Sequence, residues 1–385
     1  MSELEDYRRQ IDEVDAQLVE LFRRRMDITG KVGEYKLARQ IPVLDAQRER
    51  EVLAKKAAMT DDPLLKADVA TLFQTIMAIS RRQQRRLVHE GAEDPGYAAY
   101  LDALSRAREP VASPRVVYQG EPGCYSEEAA AGFFGPQVNS RGAAWFGDVF
   151  LALQNGEADY AVLPVENTST GSIRQVYDLL AQYAYAIVGE WQVKVDHCLA
   201  ALPGVTMDGI QTVYSHEQGL QQCDRFLDSR RGWTRVPTLD TAGSAKQVAA
   251  SGDRTAAAIC SKRAARLYGL EILAEKVNHN AENTTRFVVV SPVMERREGR
   301  DKISALFTLP HQSGSLHEIL TLFTVQGLNL MKLESRPIPG RNWEYLFFLD
   351  FSGDLSAPGM DGVLHELSQL ASGMRILGNY KAYEG

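Results

Sequence analysis

Long apolar runs, paired cysteines and a basic leader are all missing from this 385-residue chain. No stretch approaches about 18 uninterrupted apolar residues, so no membrane span is expected. The start, Met1-Ser-Glu-Leu-Glu-Asp6, is acidic and lacks the basic opening and apolar core of a signal peptide, which makes the cytoplasm the expected compartment. Only four cysteines occur (Cys124, Cys198, Cys223, Cys260), far apart and with no CxxC spacing. Reduced, buried thiols are expected, with no disulfide framework, no metal and no other cofactor. Nor does one sign of charge dominate: 43 Lys and Arg stand against 50 Asp and Glu, a net charge of −7. Because the basic residues are interleaved with acids, a nucleic-acid partner is not expected.

What is present is ordinary for a globular chain: 44% hydrophobic, 24% charged and 8% aromatic residues. At roughly 100–200 residues per domain the length predicts two to four domains. The charge is unevenly placed. Residues 1–90 hold 17 basic and 16 acidic side chains, and 12 of those 17 are arginine, the side chain suited to bidentate recognition of carboxylates and phosphates. The rest of the chain carries a net charge of −8.

From Leu4 to about Arg39 there is no proline, and apolar residues recur on a heptad. Leu4, Ile11, Leu18 and Val32 make one register; Tyr7, Val14, Leu21, Ile28 and Tyr35 make the other. One helix of roughly 54 Å is predicted, far longer than the radius of gyration of about 12 Å expected of a 90-residue globule. Such a helix needs a second chain to cover it. Arg25 interrupts the first register, and a charge on the seam is either one half of a structural ion pair or a ligand-binding group. A second helix should start at Asp45 as N-cap, and a third at Asp62-Pro63. Asp45, Arg48 and Glu49 share one face of the second helix. On the third, Phe73, Met77, Ser80 and Gln84 form a stripe that turns polar halfway. Lys36 lies about 16 Å along the axis from Arg25 and nearly in phase with it, so the two could bracket a dianion. Arg8, about 42 Å from Lys36, cannot join them within one chain. Arg23, Arg24, Arg81, Arg82, Arg85 and Arg86 are read as solvated faces.

These segments, Arg8-Arg-Gln-Ile-Asp-Glu-Val-Asp15, the Arg25 to Lys36 spacing, Pro42-Val-Leu-Asp45 with Arg48-Glu49, and Ser80-Arg-Arg-Gln-Gln84, resemble the helical chorismate mutase domain of the bacterial P-proteins, the bifunctional chorismate mutase–prephenate dehydratases. The resemblance implies a rearrangement of chorismate to prephenate by positioning and electrostatics, with no acid, base or metal. It implies that Arg8 of a partner subunit, Arg25 and Ser80 hold carboxylates while Arg48 supports them. It further implies that Asp45 and Glu49 meet the hydroxyl side and that Lys36 and Gln84 donate to the ether oxygen.

Residues 91–114, with Gly91, Pro95, Gly96, Pro110 and Pro114, have linker composition around a short helix near Tyr97–Arg108. Arg115–Gln119 reads as a buried strand, followed by Gly120-Glu-Pro-Gly-Cys-Tyr-Ser126 and a helix, which together make an anion cradle. A second cradle is expected where Val165-Glu-Asn-Thr-Ser-Thr-Gly-Ser172 opens a helix after the strand Tyr160–Pro164. Further strands at Ala186–Val195, Thr212–Tyr214, Ala256–Ile259 and Phe287–Ser291 alternate with helices, predicting an α/β domain with a cleft at strand ends. Asn283-Thr-Thr-Arg-Phe287 sets polar groups before a hydrophobic strand, either as an N-cap-like turn or as part of a site. His197, His216 and His279 show no metal-ligand spacing and are read as structural or solvent-facing.

Over 115–292 the ordered stretches Gly120…Tyr125-Ser126, Leu163-Pro-Val-Glu-Asn-Thr168…Gly171, Asp196-His197, Val213-Tyr-Ser-His216…Gln221-Gln-Cys223 and Thr285-Arg-Phe287 resemble prephenate dehydratase. The resemblance implies two α/β lobes around a cleft, similar to periplasmic binding proteins, with Thr285 on the family's essential threonine. It makes Ser126, Asn167, Thr168, Gln222, Thr241 and Arg286 candidates for substrate contact. The family usually has a Ser-Thr-Ala run where this chain has Asp240-Thr-Ala242.

Residues 301–385 read as strand, helix, strand, strand, helix, strand, the βαββαβ order of a ferredoxin-like module. Gly314-Ser315-Leu316 and Glu334-Ser335-Arg336 resemble the amino-acid-binding signatures of the ACT domain on prephenate dehydratases. The implied regulator is L-phenylalanine, and a structural dimerisation module is the alternative. The expected fold is therefore multidomain: an all-α helical dimer over residues 1–90, a linker at 91–114, a two-lobed α/β domain over 115–295 and an α+β ferredoxin-like ACT domain over 300–385. The implied function is conversion of chorismate through prephenate to phenylpyruvate in phenylalanine biosynthesis, by a homo-oligomer of an even number of chains, under feedback by L-phenylalanine. The competing readings are a regulatory binding protein that senses small carboxylates and a monofunctional dehydratase with an inactive mutase region.

Overall fold

The computed structural model describes residues 3–88, 95–312, 314–338 and 340–384. Gly91 of the expected linker and Ser313 lie outside them, as do the side chains of Arg85 and Arg86. In chain order the first elements are α1 (Glu3–Leu37), α2 (Ala46–Ala57), α3 (Pro63–Val88), α4 (Pro95–Ser105), β1 (Arg115–Gln119), α5 (Tyr125–Phe134), β2 (Asn139–Ala143) and α6 (Phe146–Gln154). There follow β3 (Tyr160–Asn167), β4 (Gly171–Ser172), α7 (Arg174–Gln182), β5 (Ala186–Lys194), β6 (His197–Ala201), β7 (Thr212–His216), α8 (Glu217–Gln222) and α9 (Asp224–Asp228). The chain continues through β8 (Thr234–Thr238), α10 (Thr241–Ser251), β9 (Ala256–Ser261), α11 (Lys262–Leu267), β10 (Glu271–Ala274) and β11 (Thr284–Ser291). Last come β12 (Lys302–Thr308), α12 (Ser315–Val325), β13 (Leu330–Pro337), β14 (Tyr345–Ser352), α13 (Met360–Leu370) and β15 (Ser372–Tyr380). Two compact units result, one from Met1–Ala98, Thr308–Leu328 and Asp361–Met374, the other from Ala99–Phe307, Asn329–Met360 and Arg375–Gly385.

In the helical unit the caps expected from sequence are in place. Asp45 accepts from the Arg48 amide at 2.9 Å, and Asp62 accepts from the Leu64 amide at 2.9 Å, each satisfying a first-turn donor. α1 has acids in its first turn and Lys36 in its last, matching the helix dipole. It crosses α3 closely because residue 33 is glycine: a Cβ there would sit 3.1 Å from Gln84 Cγ and from Leu87 Cδ1. The heptad stripe of α1 is left uncovered, with Leu4, Tyr7, Ile11, Val14, Leu18, Leu21, Ile28, Val32 and Tyr35 all between 41% and 61% exposed. Two of the arginines read as solvated are not. Arg81 is buried and joins Glu49 of α2 to Glu318 of α12, the latter at 2.6 Å. Arg82 pairs with Glu366 of α13 at 3.2 Å. Both lie where carboxylate-bearing helices pack on α3, which the sequence of α3 alone could not reveal.

The second unit contains three sheets. The first runs β2-β1-β3-β11-β5 with β4 beside β3; the second runs β10-β6-β9-β7-β8; the third runs β13-β14-β12-β15. The central strands β3 and β9 are buried almost throughout, as expected of strands covered on both faces. The chain leaves the first sheet from β5 into β6, builds the second, and returns as β11, which pairs antiparallel with both β3 and β5. The two crossings are tied where the Val195 amide donates to the Asn283 carbonyl at 2.7 Å. Two lobes joined by two strands enclose a cleft between them. Each lobe has its own core, one including Phe150, Leu163, Leu180 and Val288, the other Leu199, Val213, Leu227 and Ile259.

The third sheet shares the first lobe's core through Leu306, Phe348, Leu377 and Tyr380. Its strand order is that of a split βαβ arrangement. Contact is at backbone distance, since a Cβ on Gly378 would lie 1.9 Å from the Ile187 carbonyl oxygen.

Two local expectations change. Val165–Ser172 is not a loop opening directly into a helix: Glu166 and Asn167 continue β3, residues 168–170 turn, and β4 pairs back on β3 before α7 begins. The threonines at 284 and 285 are not in an N-cap-like turn but inside β11, where a β-branched run suits a strand held on both sides.

Candidate active sites

The cleft between the lobes has a volume of about 550 Å³ and is built from strand ends and helix starts of both lobes. From the first lobe come the β1–α5 loop (Gly120, Cys124, Tyr125, Ser126), the β3–β4 hairpin (Asn167, Thr170, Ser172) and the start of α7 (Ile173, Arg174, Gln175). The second contributes His197, His216, Gln222, Asp240 and Thr241, and β11 contributes Thr285 and Phe287. Gly123 lets the lobes meet beside the cleft. It sits at φ +91°, and a Cβ there would be 2.8 Å from the Ala264 Cα; its carbonyl accepts from Ser261 Oγ at 2.8 Å.

Strand alternation puts Thr285 and Phe287 on the cleft side of β11 and Arg286 on the other. The register sets Thr285 opposite Asn167, whose Nδ2 donates to Thr285 Oγ1 at 2.9 Å and to Asn283 Oδ1 at 2.7 Å. Asn167 Oδ1 in turn accepts from the Ser169 and Thr170 amides, which fixes the amide group's orientation. Asn283 Nδ2 donates to Gln222 Oε1 at 3.1 Å. That oxygen also faces His197 Nε2 at 3.0 Å, so Nε2 carries the proton and Nδ1 accepts from the Tyr125 hydroxyl at 3.2 Å. A buried relay thus runs from Tyr125 through His197, Gln222, Asn283 and Asn167 to Thr285. Because Thr285 Oγ1 is used as an acceptor, its own O–H, unbonded among the described residues, is free to donate into the cleft.

Burial sets the protonation of these groups. His197 is lowered to about 4 by desolvation and is neutral near pH 7, and His216 is lowered for the same reason. Tyr125 is raised well above its ordinary value, and burial pushes the Cys124 thiol up to about 12, so neither is an anion. Asp240 caps α10, its Oδ1 accepting from the Gly243 amide at 2.6 Å.

Of the cleft residues anticipated from sequence, Ser126, Asn167, Gln222, Thr241 and Thr285 come together. Two do not. Thr168 is exposed and locks the hairpin to β11, taking the Thr284 amide on its Oγ1 at 2.9 Å. Arg286 lies on the opposite face among Glu166, Glu190 and Asp350 at 3.1–3.3 Å, with Lys302 and Lys332 completing a buried cluster of three cations and three carboxylates. Its guanidinium is taken up by these partners and does not line the cleft. Arg174 and the relay role of His197 were not anticipated; the only sequence signal for the latter was the Asp196-His197 pair.

In the helical unit Arg25 donates to Ser80 Oγ, which itself donates to the Ile76 carbonyl at 2.7 Å. Arg25 is half-buried, and desolvation lowers its pKa with no carboxylate to oppose the shift. A partly dehydrated cation with no counter-ion among the described residues suits an anionic ligand. Gln84, one turn beyond Ser80, is buried with an Oε1 that finds no partner among the described residues. Lys36 donates to the Val43 carbonyl at 2.6 Å, and Glu49 is held by Arg81 beside Ser80. Arg48 faces solvent near Glu51, and Arg8 is exposed near the far end of α1. Among the residues expected to bind an effector, Gly314 at φ +93° precedes Ser315 and Leu316 at the start of α12. Glu334 accepts from Ser172 Oγ at 2.7 Å, Arg336 grips Asp178 at 2.8 and 3.0 Å, and Ser335 is exposed on the other side of β13.

A family model for chorismate mutase type II matches residues 7–85, and one for prephenate dehydratase matches residues 116–295. A bifunctional chorismate mutase/prephenate dehydratase from Escherichia coli (strain K12) is 34% identical over 379 residues, which is 97% of this chain and 95% of the relative. This chain belongs to that bifunctional family. It carries both activities, rearranging chorismate to prephenate and converting prephenate to phenylpyruvate in phenylalanine biosynthesis. Over 286 residues it is also 40% identical to arogenate dehydratase 3, chloroplastic, from Arabidopsis thaliana, covering 69% of this chain and 66% of that one. The crystal structure of prephenate dehydratase from Arthrobacter aurescens in complex with L-Phe matches with a TM-score of 0.64 and 29% identity, covering 69% of this chain and 90% of that chain. The enzyme's helical region and two-lobed α/β region thus carry one activity each, in chain order.

Proposed function

We propose that the interlobe cleft is the dehydratase site and that Thr285 is its central catalytic group. The observation that carries this is the Asn167 amide donating to Thr285 Oγ1 at the cleft wall, which leaves the threonine O–H free to donate to a ligand. As prephenate loses its ring carboxylate, the electrons of the breaking C–C bond enter the ring, and the 4-hydroxyl leaves with its bonding pair. A threonine is too weakly acidic to be fully deprotonated near pH 7, so Thr285 acts by a positioned hydrogen bond to the departing oxygen. Ser126, Gln222 and Thr241 are the neutral contacts around it.

For the mutase we propose that Arg25, Ser80, Lys36, Gln84, Asp45, Glu49 and Arg48 form the site, completed by Arg8 of a second copy. The uncovered stripe on α1 and the distance of Arg8 from Lys36 along the helix both support a dimer, or a higher even number of chains. Feedback by L-phenylalanine through an ACT domain at 300–385 is supported by the βαββαβ order, by Gly314-Ser315-Leu316 and Glu334-Ser335-Arg336, and by the L-Phe complex of the Arthrobacter relative. Domains at 1–90 and 115–295 and a cytoplasmic location complete the reading. No helix among the described residues is long and apolar enough to cross a membrane.

Incubating the purified chain with chorismate and following prephenate and phenylpyruvate tests the site assignment. Thr285→Ala should slow phenylpyruvate formation by about 100-fold or more, so that prephenate accumulates. Arg25→Ala should slow prephenate formation by a similar factor while added prephenate is still consumed. A Thr285→Ala chain that makes phenylpyruvate at the normal rate refutes the cleft assignment.

A further inference from the structure

We propose that Arg174 binds the side-chain carboxylate of prephenate and makes the cleft prefer the 2-oxo acid over its 2-amino counterpart; this rests on the reading of the cleft as the dehydratase site. Prephenate brings two negative charges into the cleft. Among the described residues that line it, the charged side chains are Arg174 and Asp240, because His197 and His216 are neutral there. Arg174 is the first residue of α7, exposed and without a hydrogen bond or ion pair among the described residues. Ile173, the N-cap, offers no side-chain acceptor, so the positive end of α7 adds to the guanidinium. The carboxylate one helical turn along, Asp178, is the natural i+4 partner for Arg174, but Arg336 of β13 holds it through two hydrogen bonds. Arg174 is thereby left free for a ligand.

The chemistry decides which carboxylate it takes. The ring carboxylate leaves as neutral carbon dioxide, so a cation on it would bind the ground state more tightly than the transition state and slow the reaction. The side-chain carboxylate keeps its charge from substrate to product and can be held throughout. In the 2-amino counterpart an ammonium group replaces the oxo group next to that carboxylate, and the guanidinium would repel it. Asp240 offers little compensation, since its carboxylate caps α10.

Steady-state kinetics of Arg174→Gln and Arg174→Lys with prephenate, arogenate and the product phenylpyruvate provide the test. The Gln variant should raise KM for prephenate about 10- to 100-fold with kcat within about threefold, the signature of lost uniform binding. The inhibition constant of phenylpyruvate should rise by a similar factor, and the preference for prephenate over arogenate should fall about tenfold. The Lys variant should recover part of the KM. Arg336→Ala should also raise KM, by freeing Asp178 to pair with Arg174, and adding Asp178→Asn should reverse that rise. A weakened prephenate affinity with unchanged phenylpyruvate inhibition would overturn the assignment, because it puts Arg174 on the ring carboxylate. Unchanged KM in the Gln variant overturns it too. Thr285→Ala in the same assay separates the causes: if that chain keeps its rate, the inference falls with the cleft assignment, and if it is inactive, the inference falls alone.

Discussion

His197 shows how a buried, neutral histidine ties the stability of the fold to pH. It is 2% exposed, and desolvation lowers it from 6.5 to about 4. Between those values the unfolded chain binds a proton that the folded chain does not, so stability is full above pH 6.5 and is lost as pH falls toward 4. By pH 5 the loss is about 2 kcal/mol. Urea unfolding of the wild type and of His197→Gln at pH 7.5 and pH 5.0 measures it. The wild type should lose more stability than the variant on acidification, and equal losses would show that His197 is not held neutral. At this scale the place of Thr285 in the cleft was legible from its motif, whereas the hydrogen-bonded chain behind it was not. Tyr125, His197, Gln222, Asn283 and Asn167 lie on separate stretches of chain, and only the return of β11 brings them into one line.

At the scale of elements, strands buried on both faces, such as β3 and β9, were legible because their apolar runs are unbroken. The β3–β4 hairpin was not, because its glycine and hydroxyl residues read equally well as a loop feeding a helix. Pairing decided between the two. Arg286 was misplaced for a related reason: a motif names neighbours in sequence, while alternation along β11 sends adjacent side chains to opposite faces. The loop before α5 is the element most sensitive to a single methyl group. Gly123→Ala would force a left-handed alanine against the Ala264 backbone, at a cost of about 2 kcal/mol or more. We expect thermal unfolding of the two-lobed region to shift down and dehydratase activity to fall, with the mutase rate retained. Unchanged melting and unchanged activity would mean that the lobes do not close through this contact.

For the whole molecule, the heptad stripe of α1 gives the clearest expectation. Nine apolar side chains stand exposed along 35 residues, too large a patch for an isolated chain in water. Sedimentation velocity should find dimers or larger even assemblies. Leu18→Glu with Leu21→Glu should yield monomers whose mutase rate falls at least tenfold while the dehydratase rate persists. A monomeric wild type with full mutase activity would overturn the dimeric reading. The near-neutral charge of residues 1–90, evident from composition alone, fits a region that meets its own copy without net repulsion.

The position of β11 has a consequence for synthesis. A chain emerging from the ribosome completes β1, β2, β3 and β5 long before Thr284, yet β3 and β5 belong to one sheet only through β11, which pairs with both of them. Throughout that interval β5 has no strand partner and the first lobe cannot close its sheet. The second lobe, by contrast, has all five of its strands by Ala274 and can fold first. Maturation should therefore run against the order of synthesis, with the lobe that is made second serving as the platform from which the last strand returns to finish the first.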